Sequence, residues 1–418
     1  MFNFKLIKKI KNKFFPFYKN NDLKFVFKKL KENFPSQSKT AMFVGGSVRR
    51  YLSNEDIDDI DIATSLTTDQ IKEKFKDTKF KIIDSGLKHG TVTLVSKKLK
   101  IELTTLRKDV KTDGRHAEIE YTNDWLEDSK RRDFTINAIY LDITGKIFDP
   151  QSGVVDLKNH IIKFIGEPQK RIEEDYLRII RFLRFSLEYE SDVENIAVNA
   201  IKLNLNGIKK ISKERILNEL FKILGTKNFA KLNKNKSLEE IFLLIFPELK
   251  YLERLNKFNE IPNHFDFDKE IFLSILLVDK TSNHEYFSHK YSVSNDLKEE
   301  LNLLSKNFVK FQENKNFFEK NLKRNTFYFG KKHLKKLNLL NFLDNKKIKL
   351  HDYLNTLNVI NKLSLPKFPI DGNYLKNKGI EEGILMGKTL KLLKQEWLDN
   401  DFKISDKRIL EIIDVQNN

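Results

Sequence analysis

The spacing of apolar residues divides this chain of 418 residues into two regimes. Residues 22–34, DLKFVFKKLKENF, place apolar positions three to four apart and predict an amphipathic helix. From residue 41 the pattern shortens. Met42-Phe43-Val44 is an apolar run that breaks at Gly45-Gly46, and a short helix carrying Arg49 follows, with Ser47 as its cap. Asp58-Asp59-Ile60-Asp61-Ile62-Ala63 alternates with period two and predicts a strand. Thr67-Thr68-Asp69 caps a helix over DQIKEKFK. KFKIID, TVTLVSK and KIELTTLR predict further strands, so the chain up to about residue 148 reads as a mixed sheet with flanking helices. Residues 107–118, RKDVKTDGRHAE, carry no apolar period and predict a mobile charged loop hinged at Gly114.

Beyond Pro168 the period becomes helical almost throughout. RIEEDYLRIIRFLRFSLEY is the strongest helix of the sequence, with Leu177, Ile180, Leu183 and Leu187 as its apolar stripe. Arg178, Arg181 and Arg184 form a second row, and Asp175 precedes Arg178 by one turn. Residues 190–350 are Leu-, Ile- and Phe-rich helices with lysine-rich outer faces. Residues 366–397 interrupt them with glycines and prolines before a final amphipathic helix. The fold class is therefore α+β, a small mixed-sheet head followed by helical domains.

Composition narrows the picture. Apolar residues make up 40 % of the chain, enough for a substantial core, and there is no cysteine, which excludes disulfides and thiolate metal sites. No run approaches the length of a transmembrane helix, so no membrane role is expected. The stretch MFNFKLIKKIKNKFFPFYK lacks the pattern of a secretion signal and reads as a basic arm over residues 1–21. A net charge of +18, from 77 basic and 59 acidic residues, calls for a polyanion partner, of which nucleic acid is the commonest.

Candidate chemistry follows from the alternation. On a strand Asp59 and Asp61 point the same way while Ile60 and Ile62 point into the core. Two adjacent carboxylates are either a solvated strand edge or a site for a divalent cation, and oxygen-only ligands suit Mg²⁺. The glycine pair entering a helix upstream is either a plain turn or a phosphate cradle. Glu102, on KIELTTLR, is a third carboxylate for the same site or a strand-edge glutamate. Arg131 and Arg132 form a phosphate clamp, with Asp133 orienting one of them, or an exposed charged turn. Asp175 and Arg178 form an i,i+3 ion pair or a base reader. A carboxylate accepts and a guanidinium donates, so one such pair matches the donor–acceptor order that cytosine and adenine share and rejects guanine and uracil.

These residues together resemble the class II CCA-adding tRNA nucleotidyltransferase and bacterial poly(A) polymerase family, within the DNA polymerase beta superfamily. GGSVRRYL is similar to the family's first motif and DIDIAT to its metal-binding strand. RRDFTINAI resembles its ribose and phosphate motif, and EEDYLRIIRFLRF its base-reading helix. TDGRHAEIEYT and the region of DGNYLKNKGIEEGILMGKTL look most like the CCA-adding branch.

The resemblance implies an α+β chain with a nucleotidyltransferase head over 22–148 and all-helical neck, body and tail over 149–225, 226–330 and 331–418. Asp59 and Asp61 would hold Mg²⁺, with Glu102 beside them. Gly46 and Arg49 would bind the triphosphate, Arg132 would contact the nucleotide, and Asp133 and Asn137 would shape the pocket. Asp175 and Arg178 would read the base, supported by Arg181 and Arg184. The partners would be CTP, ATP and the acceptor stem and elbow of tRNA, and the compartment would be the cytoplasm. The implied activity is template-independent CCA addition. Poly(A) polymerisation or partial addition is the neighbouring alternative, and non-catalytic RNA binding on the same fold the distant one. The chain departs from the family pattern at Arg50, where an aspartate is usual, at Tyr374, and in the loop at 107–118.

Overall fold

The computed structural model describes residues 19–35, 39–57, 59–86, 90–97, 99–113, 116–262, 267–313 and 316–417. Most of the basic arm, together with Asp58 and Gly114, lies outside them. The described residues form two compact units, one built on the chain up to Lys250 with 268–270 and 290–292, the other on the remainder.

The first unit opens with helix α1 (Asn21–Lys31), capped by the Asn20 side chain, which accepts from the Asp22 and Leu23 N–H groups. Its buried residues Leu23, Val26, Phe27 and Leu30 keep the spacing read from the sequence. Then come β1 (Ala41–Phe43), α2 (Gly46–Leu52), β2 (Ile60–Thr64), α3 (Thr68–Phe75), β3 (Lys81–Gly86), β4 (Thr91–Val95) and β5 (Lys100–Thr105). A hairpin of β6 (Arg107–Asp113) and β7 (His116–Tyr121) leads to α4 (Trp125–Lys130), β8 (Tyr140–Leu141) and β9 (Ile147–Phe148). Seven strands make one mixed sheet in the order β3-β4-β5-β2-β1-β8-β9. The pairing of β2 with β5 is parallel and sets Asp61 opposite Glu102.

Helices take over with α5 (Gly153–Lys158), α6 (Pro168–Glu174), α7 (Leu177–Glu188), α8 (Asn195–Asn204), α9 (Lys213–Leu224) and α10 (Lys236–Ile245). The apolar stripe of α7 is buried as expected. Its Phe182 and Phe185 join Phe134 and Phe164 in a ring cluster with centroids 4.8–6.2 Å apart. That cluster ties the segment after α4 to α7, so the sheet and the helices share one interior.

Three expectations need correction. The charged stretch at 107–118 is a hairpin, because a ladder of backbone hydrogen bonds needs no apolar period; Lys108 and Glu120 add a cross-strand ion pair at 3.0 Å. The long helix over 171–189 is two helices. Asp175 between them is extended (φ −154°, ψ 105°), and its carboxylate accepts the Leu177 N–H at 3.1 Å, a local bond that competes with helical continuation. Ser47 does not cap α2. Gly45 holds that position at φ 67°, while Ser47 is buried in the first turn and donates to the Val44 carbonyl at 3.0 Å.

The second unit is helical. Its helices include Leu322–Asp344, Leu350–Lys362, Ile384–Asp399 and Asp406–Asn417, and its apolar clusters centre on Leu375, Leu393 and Ile413 and on Trp397, Leu398 and Phe402. Helix Leu322–Asp344 bends at Gly330, whose φ of 79° is a left-handed value that glycine adopts without strain. Among the described residues no helix is long and apolar enough to cross a membrane.

Candidate active site

Strand β2 delivers Asp61 beside the glycine turn. The Asp61 carbonyl accepts the Val44 N–H at 3.0 Å, which registers the end of β1 against β2. The Gly46 N–H hydrogen-bonds the Asp61 carboxylate. A Cβ on Gly45 or Gly46 would stand in ordinary contact with Asp61 Oδ2, at 3.4 or 3.6 Å, while the φ of 67° at Gly45 is a left-handed value that favours glycine. Asp59 is exposed just before the strand rather than within it. Ile60 and Ile62 are buried, as the alternation requires.

Glu102 stands across the ladder from Asp61 and is bridged to Lys100 at 2.8 Å. Burial raises the Asp61 carboxyl above its ordinary range, Glu102 adds to this, and Arg132 and the Gly46 N–H only partly oppose it. A buried carboxylate with acidic neighbours is the environment that a cation relieves. Among the described residues no three His, Cys, Asp or Glu groups form a closed metal cage. Mg²⁺ needs none, since it binds one or two carboxylates and completes its shell with water and substrate phosphate. The donor set of Asp59 and Asp61 fits that ion.

The pair opens into a cleft of about 900 Å³. Gly45, Gly46, Asp59, Asp61 and Glu102 line one part of it, and Arg49, Arg132, Asp133, Asn137, Arg181 and Arg184 line another. A chain of hydrogen bonds holds this second group. Arg181 Nε donates to Asp133 Oδ2 at 2.7 Å, Asn137 Nδ2 donates to Asp133 Oδ1 at 2.8 Å, and Arg49 donates to Asn137 Oδ1 and, at 2.8 Å, to the Tyr189 hydroxyl. Burial alone would raise Asp133, but the Arg181 charge and the Asn137 bond hold it well below the usual carboxylate range. Arg184 is fixed by Glu219 at 2.8 Å.

Arg131 and Arg132 share a buried anchor, Asp128, at 2.8 and 2.9 Å. The Tyr140 hydroxyl donates to the same carboxylate at 2.7 Å. Burial pushes Asp128 up, but Arg132, Arg131 and Tyr140 together bring it far below the ordinary value. The orienting carboxylate of the arginine pair is thus Asp128, while Asp133 turns to Arg181 and Asn137.

Residues 41–163 match the family described as "Poly A polymerase head domain", and residues 192–252 the one described as "Probable RNA and SrmB- binding site of polymerase A". Over 401 residues the chain is 31 % identical to the CCA tRNA nucleotidyltransferase 1, mitochondrial, of Danio rerio, spanning 92 % of this chain and 89 % of that protein. The chain belongs to the tRNA nucleotidyltransferase and poly(A) polymerase family.

Identity to the family member of the same name from Mus musculus rises to 43 % over 201 residues, a stretch that spans 47 % of this chain and 46 % of that relative. The family fold extends further. The Bacillus stearothermophilus CCA-adding enzyme, solved in complex with CTP, superposes with a TM-score of 0.70 at 25 % identity, covering 94 % of this chain and 96 % of that one.

Two of the residues expected at this family's site stand apart from the cleft lining. Asp175 Oδ2 pairs with Arg215 at 2.8 Å, and Arg178 Nη1 pairs with Glu174 at 2.6 Å and with the Arg171 carbonyl at 2.7 Å. The side chains of Asp175 and Arg178 therefore have other partners than each other. Sequence reasoning missed Asp128, although its position three and four residues before Arg131 and Arg132 on α4 was a readable signal. It also missed Phe185, Lys222 and Lys227, which line the cleft, and Tyr189 and Glu219, which hold Arg49 and Arg184. Tyr189 meets Arg49 across 140 residues and Glu219 meets Arg184 across 35, separations that no local spacing announces.

Proposed function

We propose that this chain adds C, C and A to tRNA 3′ ends from CTP and ATP without a nucleic-acid template. The observation that carries the reading is the placement of Asp61 beside the Gly45–Gly46 turn, in one cleft with Asp59, Arg49, Arg132, Arg181 and Arg184. In this reading the RNA 3′-hydroxyl oxygen attacks the α-phosphorus, and the bond to pyrophosphate breaks. Asp59 and Asp61 would hold Mg²⁺, which when bound lowers the pKa of the attacking hydroxyl and neutralises the leaving phosphates. The glycine turn, with no side chains to block approach, would lie against the phosphate oxygens. The arginines supply fixed positive charge that needs no reorganisation as charge develops on the departing phosphates. Glu102 sits directly opposite Asp61 in the ladder and would tune it.

Base selection falls to Asp175 and Arg178 in this proposal. For that, Asp175 leaves Arg215 and Arg178 leaves Glu174 when a nucleotide enters. The break between α6 and α7 supports it, because Asp175 is already outside regular helix. The division into head, neck, body and tail, the tRNA acceptor stem and elbow as partners, and the cytoplasm as compartment belong to the same proposal.

The test uses tRNAs truncated at each step of the 3′ end, single labelled nucleotides and Mg²⁺. CCA addition gives CTP incorporation first, then one ATP, then a stop. A long A tail indicates a poly(A) polymerase, and no incorporation indicates an RNA-binding protein. In the same assay Asp175→Ala erodes the preference for C and A over G and U by about tenfold or more. Unchanged selectivity would move base reading elsewhere.

A further inference from the structure

Three arginines gather around one aromatic ring. The guanidinium carbons of Arg184, Arg49 and Arg181 lie 4.0, 4.5 and 5.4 Å from the centroid of Phe185. Arg49 comes from α2 and the other two from α7. Phe185 is 1 % exposed, yet it forms part of the cleft wall. Like charges so close repel one another, and each needs something to hold it.

Arg181 and Arg184 have carboxylates, Asp133 and Glu219. Arg49 differs. Its hydrogen bonds run to the Tyr189 hydroxyl and the Asn137 carbonyl oxygen, both neutral. Among the described residues no carboxylate pairs with it. Besides Phe185, its charge faces the ring of Tyr189 at 5.7 Å. A carboxylate would fix a guanidinium and cancel its charge at once. Aromatic faces and neutral acceptors fix it and leave the charge in place.

We propose that Phe185, assisted by Tyr189, is a positioning residue that holds Arg49, without a carboxylate in direct contact, for the polyphosphate of the incoming nucleotide. Polyphosphate is the ligand chemistry because Arg49 lies one turn along α2 from Gly46 and lines the same cleft as the Gly45–Gly46 turn. Glu55 of the cleft lining acts on Arg49 only at longer range, so the guanidinium has no carboxylate bonded to it and can donate to a multiply charged anion. The proposal rests on the nucleotidyltransferase reading only for the identity of the nucleotide; polyphosphate binding is measured without turnover.

The experiment compares the full chain with Phe185→Leu, which keeps apolar bulk and loses the aromatic face, and Tyr189→Phe, which keeps the ring and loses the hydroxyl. Calorimetry reports the affinity for inorganic tripolyphosphate with Mg²⁺, and steady-state assays report KM for CTP and kcat. Phe185→Leu should weaken tripolyphosphate binding and raise KM for CTP by a common factor of about ten, with kcat changed less than about twofold. Tyr189→Phe should weaken tripolyphosphate binding about threefold. A ring that only fills space predicts wild-type tripolyphosphate affinity in a folded Phe185→Leu chain, and that result overturns the proposal. Should Phe185→Leu fail to fold, wild-type tripolyphosphate affinity in Tyr189→Phe overturns it instead. If the wild-type chain incorporates no nucleotide but its tripolyphosphate affinity still depends on Phe185, the inference stands and the catalytic reading falls.

Discussion

Arg254 and Arg49 are both buried arginines, one in each compact unit, and their charges are held in opposite ways. Arg254 donates to the Ile275 and Val278 carbonyls at 2.7 and 2.9 Å and pairs with Asp344 at 2.6 Å. Its charge is matched, and its role is to tie helices together. Arg49 is held by a hydroxyl, an amide oxygen and two aromatic rings, so its charge remains available to the cleft. Burial alone does not separate structural from functional charge. The charge of the partners does. Around the cleft both kinds coexist: Asp128 with its arginines is a matched cluster, and Asp61 among carboxylates is an unmatched one.

The largest effect should come from the unmatched side. Asp61→Ala should lower nucleotide incorporation by about a thousandfold or more while tRNA affinity changes little. Labelled CTP incorporation and filter binding read the two quantities; full activity in this variant would refute the cation assignment.

Breaking a matched cluster should cost stability instead. Asp128→Asn leaves Arg131 and Arg132 without their carboxylate and should destabilise the chain by about 3 kcal/mol at neutral pH. Because Asp128 is held below its ordinary value of 3.8, its contribution is present above that pH and is lost on acidification. The gap between wild type and variant in chemical unfolding should therefore begin to narrow below about pH 4 and keep narrowing as the pH falls further toward the folded-state value. A gap that does not narrow at all on acidification would show that packing, not charge, holds the cluster.

A smaller effect is expected in the second unit. His333 is bonded to Asn307 at 3.0 Å, and burial lowers its pKa from 6.5 to about 4, with Glu300 opposing and Lys336 assisting. The folded chain then binds fewer protons than the unfolded chain between those values. Stability should fall by about 1–3 kcal/mol as the pH drops through that window. His333→Gln should flatten the slope. An unchanged slope would mean that His333 is not kept neutral by its surroundings.

The sequence by itself determined what is periodic and local. Alternation in DIDIAT buried Ile60 and Ile62 and left Asp61 on the other face, and three-to-four spacing buried one stripe of α7. It also placed the glycine turn before Arg49, and the order of motifs was enough to indicate the family. Side-chain period and backbone torsion preferences act within a few residues, so these features were legible without a fold. Tertiary structure decided the partners. Parallel pairing of β2 and β5 set Glu102 opposite Asp61, and packing of α7 and α9 gave Arg184 its Glu219. The same packing gave Asp175 an arginine 40 residues away rather than Arg178 three residues on, and a separate contact with α2 brought Tyr189 to Arg49. Such contacts depend on which surfaces the closed chain brings together, and no local spacing encodes that.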